Sequence, residues 1–409
     1  MIRPLAIRNA RIIDPVAKSD TSDDILVIDR KIAAVGSFDA PSDAETLDAK
    51  GACVAPGFVD LGCFAIDMTA FAAGGVTRVA LMPDQSPALD HAALVQRAAA
   101  AGKPDLWVHP IAAATKGLAG TDLAEIGLMK AAGACAVATG RQWIADSGVM
   151  YRLLAYAAAL DLVVIAHAED GGLTAGAVAT EGEMATRFGL PAAPAIAEAM
   201  AVARDIALAE RTGAAIHFRQ LSTAAAFDLV RQAKKRGVRV TCGISPAYFL
   251  LSDIAIGGFR TFARLSPPLR DNDDVAAAVA AIRDGTVDVI CSSHDPLGPE
   301  AKRLPYADAE AGMSGAETLL TLSLALVRDG VIALPDLIAL LSTAPAKLLG
   351  LPGGTIEAGA EADLVLFDPD AFWKIDSDRM AGAAGNTPFD GLPVQGKVLT
   401  TINGGVVVK

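Results

Sequence analysis

The chain has 409 residues, 52% hydrophobic and 20% charged, with a net charge of −12. That length and apolar content exclude a disordered chain and leave room for one large barrel-type domain plus a smaller one. The acidic balance argues against nucleic acid, which needs a basic footprint, and no apolar run approaches the roughly 20 residues of a membrane helix. The N-terminal MIRPLAIRNARIID has no signal-peptide core, so a cytoplasmic protein is expected. Cys53, Cys63, Cys135, Cys242 and Cys291 are odd in number and widely spaced without a CxxC pair, which indicates neither a disulfide framework nor a zinc knuckle.

Residues 1–55 alternate apolar and polar in LAIRNARIID, DDILVIDRKIAAVG and ETLDAKGACVAPG, each bounded by Asp, Gly or Pro, and read as short antiparallel strands. From residue 56 to 354 the pattern changes to apolar runs separated by Ala-rich helical stretches, the sign of parallel βα units. Eight runs are present: ACVAPGFVDL, VTRVALMPD, DLWVHPIAA, ACAVATG, LVVIAHAED, AAIHFRQLS, VRVTCGISP and VDVICSSHDP. Eight βα units predict a TIM (β/α)8 barrel, an α/β fold whose sites lie at the C-terminal strand ends. The helical PDLIALLSTAPAKLLGL closes it. Residues 355–409 return to strand grammar in GTIEAGAEADLVLFD and GKVLTTINGGVVVK, with Asn403-Gly404 as a hairpin turn. Neither end has enough strands to bury a face alone, so 1–55 and 355–409 are expected to join in one small β-domain.

At the barrel strand ends lie Asp60, Asp84, His109, Thr139, His167 with Glu169 and Asp170, His217, Gln220, Ser245, and Ser293 with His294 and Asp295. A metal site needs three or more His, Cys or carboxylate side chains on one point. His167 in HAED has the most polar surroundings. His217 and Gln220 point to opposite faces of a strand, and His217 reads as core. Cys63 is flanked by Phe64 and Ala65 with no adjacent base, which favours a buried structural thiol over a nucleophile. His294 and Asp295 are neighbours on an extended segment and diverge, so a loop contact is expected rather than an acid–base pair. The basic run RQAKKRGVR (231–239) reads as a helix end, not a phosphate patch.

Taken in order, PGFVDL, AAGGVTRVALMP, VIAHAED, LSTAAAFDLVRQAKKRGVRVTCGISP, SPPLRDNDDVAAAVAAIRDGTVDVI, SGAETLL, ADLVLFDP and NTPFDG resemble the dihydroorotase branch of the amidohydrolase superfamily over nearly the whole chain. The resemblance implies a metal-bearing barrel with a small β-sandwich built from both termini. It also marks departures. Where the family carries His-x-His after the first strand, this chain has Gly62 and Phe64, and the Leu-Arg-Glu that follows in the family, with its substrate-gripping Arg, is replaced by Ala65-Ile66-Asp67. The fourth-strand Asp or carboxylated Lys is matched by Thr139, the second sixth-strand His by Gln220, and the catalytic Asp before His294 by Ser293. Two substrate-recognition Asn positions hold Asp84 and Ser266. Of the metal and base positions only His167 survives, while turn and packing residues such as Gly74, Gly75, Pro267, Pro268 and Pro388 are kept.

One imidazole cannot hold a catalytic zinc, and without it hydroxide generation at neutral pH fails. The expectation is a pseudoenzyme without zinc, cofactor or catalytic residues. The resemblance is strongest to inactive dihydroorotase homologues that hold the catalytic chain of aspartate transcarbamoylase in a larger assembly of pyrimidine (UMP) synthesis, which implies that partner and a homo-oligomer within the assembly, with neither nucleic acid nor membrane. Two alternatives stand: a divergent cyclic amidohydrolase using His167, Asp170, His294, Asp295 or Cys63, and a non-catalytic sensor of a pyrimidine ligand.

Overall fold

In the computed structural model, which describes residues 3–409, the eight apolar runs form eight strands: Phe58–Cys63, Val76–Leu81, Trp107–Ala113, Ala136–Ala138, Val164–Ala166, Ile216–Phe218, Val240–Ile244 and Val289–Ile290. Each pairs with its neighbour in chain order, always parallel. All six residues of Phe58–Cys63 and of Val76–Leu81 are buried. Helices cover such strands on one side and barrel side chains fill the other, so apolar residues run on without alternation. Leu61, Ala80, Met82, Ile111, Ile165 and Val289 belong to one interior cluster that also takes in Phe64.

The ring nearly closes between the last strand and the first. The Phe64 N–H donates to the His294 carbonyl at 2.9 Å. The Asp60 carboxylate accepts the Ser292 N–H at 2.8 Å and also the Ser292 hydroxyl. Outside the ring, Ser147–Ala159, Ala224–Lys235 and Asn272–Arg283 each begin at a side chain that caps the first turn: Asp146, Thr223 and Asp271 accept the N–H groups of Val149, Ala226 and Asp274. The basic run ends the second of these helices, and its cations face carboxylates: Arg231 with Asp284, Lys234 with Asp288, Arg236 with Glu210 and Arg239 with Asp161.

Strands from both chain ends share a second sheet. Its order is Val406–Val407, Pro393–Asn403, Leu364–Lys374, Cys53–Pro56, Leu5–Asp14, Ser19–Ile28 and Lys31–Val35, with Glu45–Asp48 also on Leu5–Asp14. The purely antiparallel reading of the N-terminal strands needs correction. Glu45–Asp48 and Cys53–Pro56 both lie parallel to Leu5–Asp14, because residues 36–44 carry the chain back to the start of that strand instead of turning it on itself. The expected hairpin forms with Asn403 opposite Val406, and its two turn residues, Gly404 and Gly405, take φ of 53° and 76°. Tight hairpin turns of this kind place both central residues at positive φ, where glycine carries no steric cost.

The sheet is tied to the barrel by a buried cation. Arg78 of the second barrel strand pairs with Asp363 at 2.6 Å and with Glu361, and the Trp107 indole N–H reaches Asp363 at 3.2 Å. All five cysteines are free thiols. Among the described residues no helix is long and apolar enough to cross a membrane.

Candidate functional site

A cavity of about 430 Å³ opens at the C-terminal ends of the barrel strands, walled by Phe64, Arg141, His167, Arg219, Arg264 and Asp295 together with Tyr248, Ser266, Ser293 and the 308–313 segment. A hollow of about 810 Å³ lies at the opposite end, around Val163, Val240 and Leu349. In barrels of this kind that N-terminal face serves stability, so the mouth is the candidate site.

Five of the residues singled out from sequence meet in the cavity: Phe64, His167, Ser266, Ser293 and Asp295. The others lie around it. Gln220 is buried one bond away, its amide donating to the Leu221 carbonyl at 3.2 Å and its oxygen accepting the Ser293 hydroxyl at 3.2 Å. Thr139 accepts the His167 N–H at 3.0 Å. Asp84 accepts the Arg141 N–H at 2.9 Å, and burial raises its pKa. His294 is turned away from the cavity, with Nε2 3.6 Å from Asp67 Oδ2 and Nδ1 accepting the Ala316 N–H at 3.3 Å. His294 and Asp295 thus diverge, the latter binding Arg141 through two contacts of 2.7 and 3.0 Å.

Gly62, next to last in the first barrel strand, takes φ +89°, and a Cβ there would lie 2.8 Å from Cδ of Arg219. Phe64 follows it inward. Its ring is 8% exposed and is clasped by two guanidiniums, Arg141 at 3.6 Å and Arg219 at 4.9 Å from the centroid. Gly62 offers no donor atom, Phe64 offers carbon, and the amide of Gln220 is committed to its neighbours. Among the described residues no three His, Cys, Asp or Glu side chains converge on one point. The donor set therefore does not fit a catalytic metal, which needs three protein ligands.

Proton chemistry finds little purchase here. Asp295 is held by Arg141, and Glu169 sits 3.5 Å from His167 and 3.2 Å from Arg270. Burial would raise the Glu169 pKa, but His167 and Arg270 outweigh it and hold the carboxyl below its usual range. The Cys63 thiol donates to Asp60 at 3.0 Å, and burial first, then the Asp60 charge, push its pKa well above the ordinary value. A thiol so placed is inert. His217 is fully buried within the barrel, Nδ1 2.9 Å from the Thr241 hydroxyl.

A network of buried charge joins the cavity wall through the Glu169 contact to His167. Glu198, fully buried, accepts the N–H and hydroxyl groups of both Ser222 and Thr223, and Arg270 reaches Ser222, Thr180 and Glu169. The sequence reading passes over Arg141, Arg219 and Arg264, and of this network it singles out only Glu169. The available signal was slight: a charged residue in HFRQLST and in ATGRQW at the end of an apolar strand.

Residues 57–226 match a family model described as dihydro-orotase-like. The chain is 40% identical over 414 residues to a dihydroorotase of Syntrophotalea carbinolica, covering 97% of each, and 41% identical over 418 residues to one of Pelotomaculum thermopropionicum, covering 99% and 98%. An L-hydantoinase (dihydropyrimidinase) from Arthrobacter aurescens superposes with a TM-score of 0.87 at 25% identity, over all of this chain and 96% of that one. With relatives at this identity over nearly its whole length, the chain belongs to the dihydroorotase family.

Proposed function

We propose that this chain is a catalytically inactive dihydroorotase homologue, free of zinc, that serves as a structural assembly partner of the aspartate transcarbamoylase catalytic chain in de novo pyrimidine synthesis. The observation that carries the inactivity is Phe64, an aromatic ring clasped by Arg141 and Arg219 at a position where the family resemblance calls for an imidazole. A single remaining imidazole, His167, leaves no means of holding the metal that would activate water, and Ser293 in place of the catalytic Asp leaves no base to take its proton. The partnership rests on the resemblance to inactive homologues. In this reading the barrel, residues 56–354, and a small β-sandwich from residues 1–55 and 355–409 persist as a cytoplasmic scaffold, present in several copies per assembly.

Two measurements test it. The purified chain, mixed at micromolar concentration with the aspartate transcarbamoylase of its own organism, should elute with it as one larger species; two separate peaks would refute the partnership. The chain supplied with zinc should neither retain stoichiometric metal nor hydrolyse dihydroorotate, and turnover would refute the inactivity.

A further inference from the structure

Arg219 is 4% exposed, and among the described residues its Nε has no hydrogen-bond partner and no carboxylate pairs with it. The group it rests against is the Phe64 ring, whose face returns only part of what a buried cation loses. A guanidinium cannot shed its proton, so neutralisation is closed to it. Arg264, on the same cavity, is in a similar state: its Nη1 donates to the Leu265 carbonyl at 3.2 Å, while its Nε is buried without a partner. Arg141 differs, because Asp295 holds it in two contacts. Two forks with donors to spare therefore face one cavity, in a chain whose net charge is −12, so they are no by-product of a basic surface. The acidic groups on the same wall are Asp295, already paired, and Asp308 and Glu310, both exposed.

We propose that the barrel mouth is a non-catalytic binding site for a small carboxylate anion, gripped by Arg219 and Arg264. A planar carboxylate suits the guanidinium fork, and 430 Å³ lies in the size range of pockets for small organic ligands. Two separate guanidiniums on one cavity suit an anion with a carboxylate for each better than the single tetrahedral centre of a phosphate, and Asp308 and Glu310 at the opening disfavour a polyanion. The proposal rests on the reading that the mouth carries no metal.

The test is calorimetric titration of the full-length, chelator-treated chain at low ionic strength with succinate and, separately, inorganic phosphate, each with and without added zinc. Succinate should bind saturably, one per chain, without zinc and more tightly than phosphate. Arg219→Met should weaken that binding roughly thirtyfold or more. The same substitution should leave the midpoint of thermal unfolding unchanged or higher, since it removes an unpaired buried cation; a structural clasp would lose midpoint instead. Arg264→Met provides a second reading of the site should Arg219→Met fail to fold. No saturable binding up to about 10 mM, tighter binding of phosphate, or succinate binding unaltered in both variants would overturn the proposal. Binding that requires zinc would overturn both it and the metal-free reading, whereas no binding with or without zinc would overturn it alone.

Discussion

Gly62 and Arg219 exclude one another's alternatives: a Cβ on Gly62 would lie 2.8 Å from Cδ and 3.1 Å from Cγ of Arg219, the stem of a side chain already packed against Phe64. Gly62 also takes φ +89°, a conformation costly for any residue with a side chain. The position at which the family resemblance calls for a histidine is thus closed by backbone and by neighbour. The double variant Gly62→His, Phe64→His should lose about 2–4 kcal/mol of stability from strain and overpacking and should gain no zinc. Chemical denaturation and metal analysis check this; stoichiometric zinc at undiminished stability would contradict it.

Asp60 does the closing work at the barrel seam. Its carboxylate takes the N–H and hydroxyl of Ser292 from the last strand and the thiol of Cys63 from its own. Asp60→Ala leaves buried donors without acceptors and should cost about 3 kcal/mol. Asp60→Asn keeps one oxygen for the Ser292 N–H and should cost clearly less. Urea midpoints that are equal for the two variants would rule out the seam as the reason Asp60 is there.

Glu198 and Arg270 tie together the segments that carry Glu169, Thr180 and Ser222. Glu198 is fully buried and receives four donors from Ser222 and Thr223, with Arg270 3.5 Å away. Glu198→Ala should cost about 3–5 kcal/mol, because it strands those donors and removes one of the two carboxylates facing a buried guanidinium. The measurement is the unfolding free energy of the variant; a loss under 1 kcal/mol, on the order of an exposed pair, would show that the network is solvated.

The barrel was legible because its signal is local: eight apolar runs, each ended by polar residues, are what strands buried on both faces must look like. The same logic placed His217 and Cys63 in the interior, where they are found. The parallel pairing of Cys53–Pro56 with Leu5–Asp14 was not legible, since alternation gives a strand's faces but not its partner's direction. The cavity's character was less legible still. His167, Ser293 and Asp295 could be named from their strand ends and Phe64 and Ser266 from the family resemblance, but Arg141, Arg219 and Arg264 stand 45 or more residues apart in sequence. Their convergence on one cavity, with Arg141 and Arg219 also meeting on the Phe64 ring, is a tertiary property with no periodicity to announce it.

His217 supplies the pH dependence. Burial, with Lys234 and Arg219 adding to it, lowers its pKa to about 3, against 6.5 for an exposed histidine. Above pH 6.5 the ring is neutral in folded and unfolded chains alike and contributes no pH dependence. As pH falls from 6.5 toward 3 the unfolded chain takes up a proton that the folded chain refuses, so folding weakens by up to about 1.4 kcal/mol per pH unit. His109, lowered to about 4 by burial and Arg78, adds a second contribution over a narrower window. Carboxylates titrate in the same region, so the informative quantity is a difference between two chains. Between pH 4.5 and 6 the unfolding free energy of His217→Gln should depend less steeply on pH than that of the parent by roughly one proton, although the variant is less stable at pH 7 for want of the contact to Thr241. Parallel slopes in the two chains would mean that His217 is charged in the fold, and that the barrel interior around it is wetter than its burial implies.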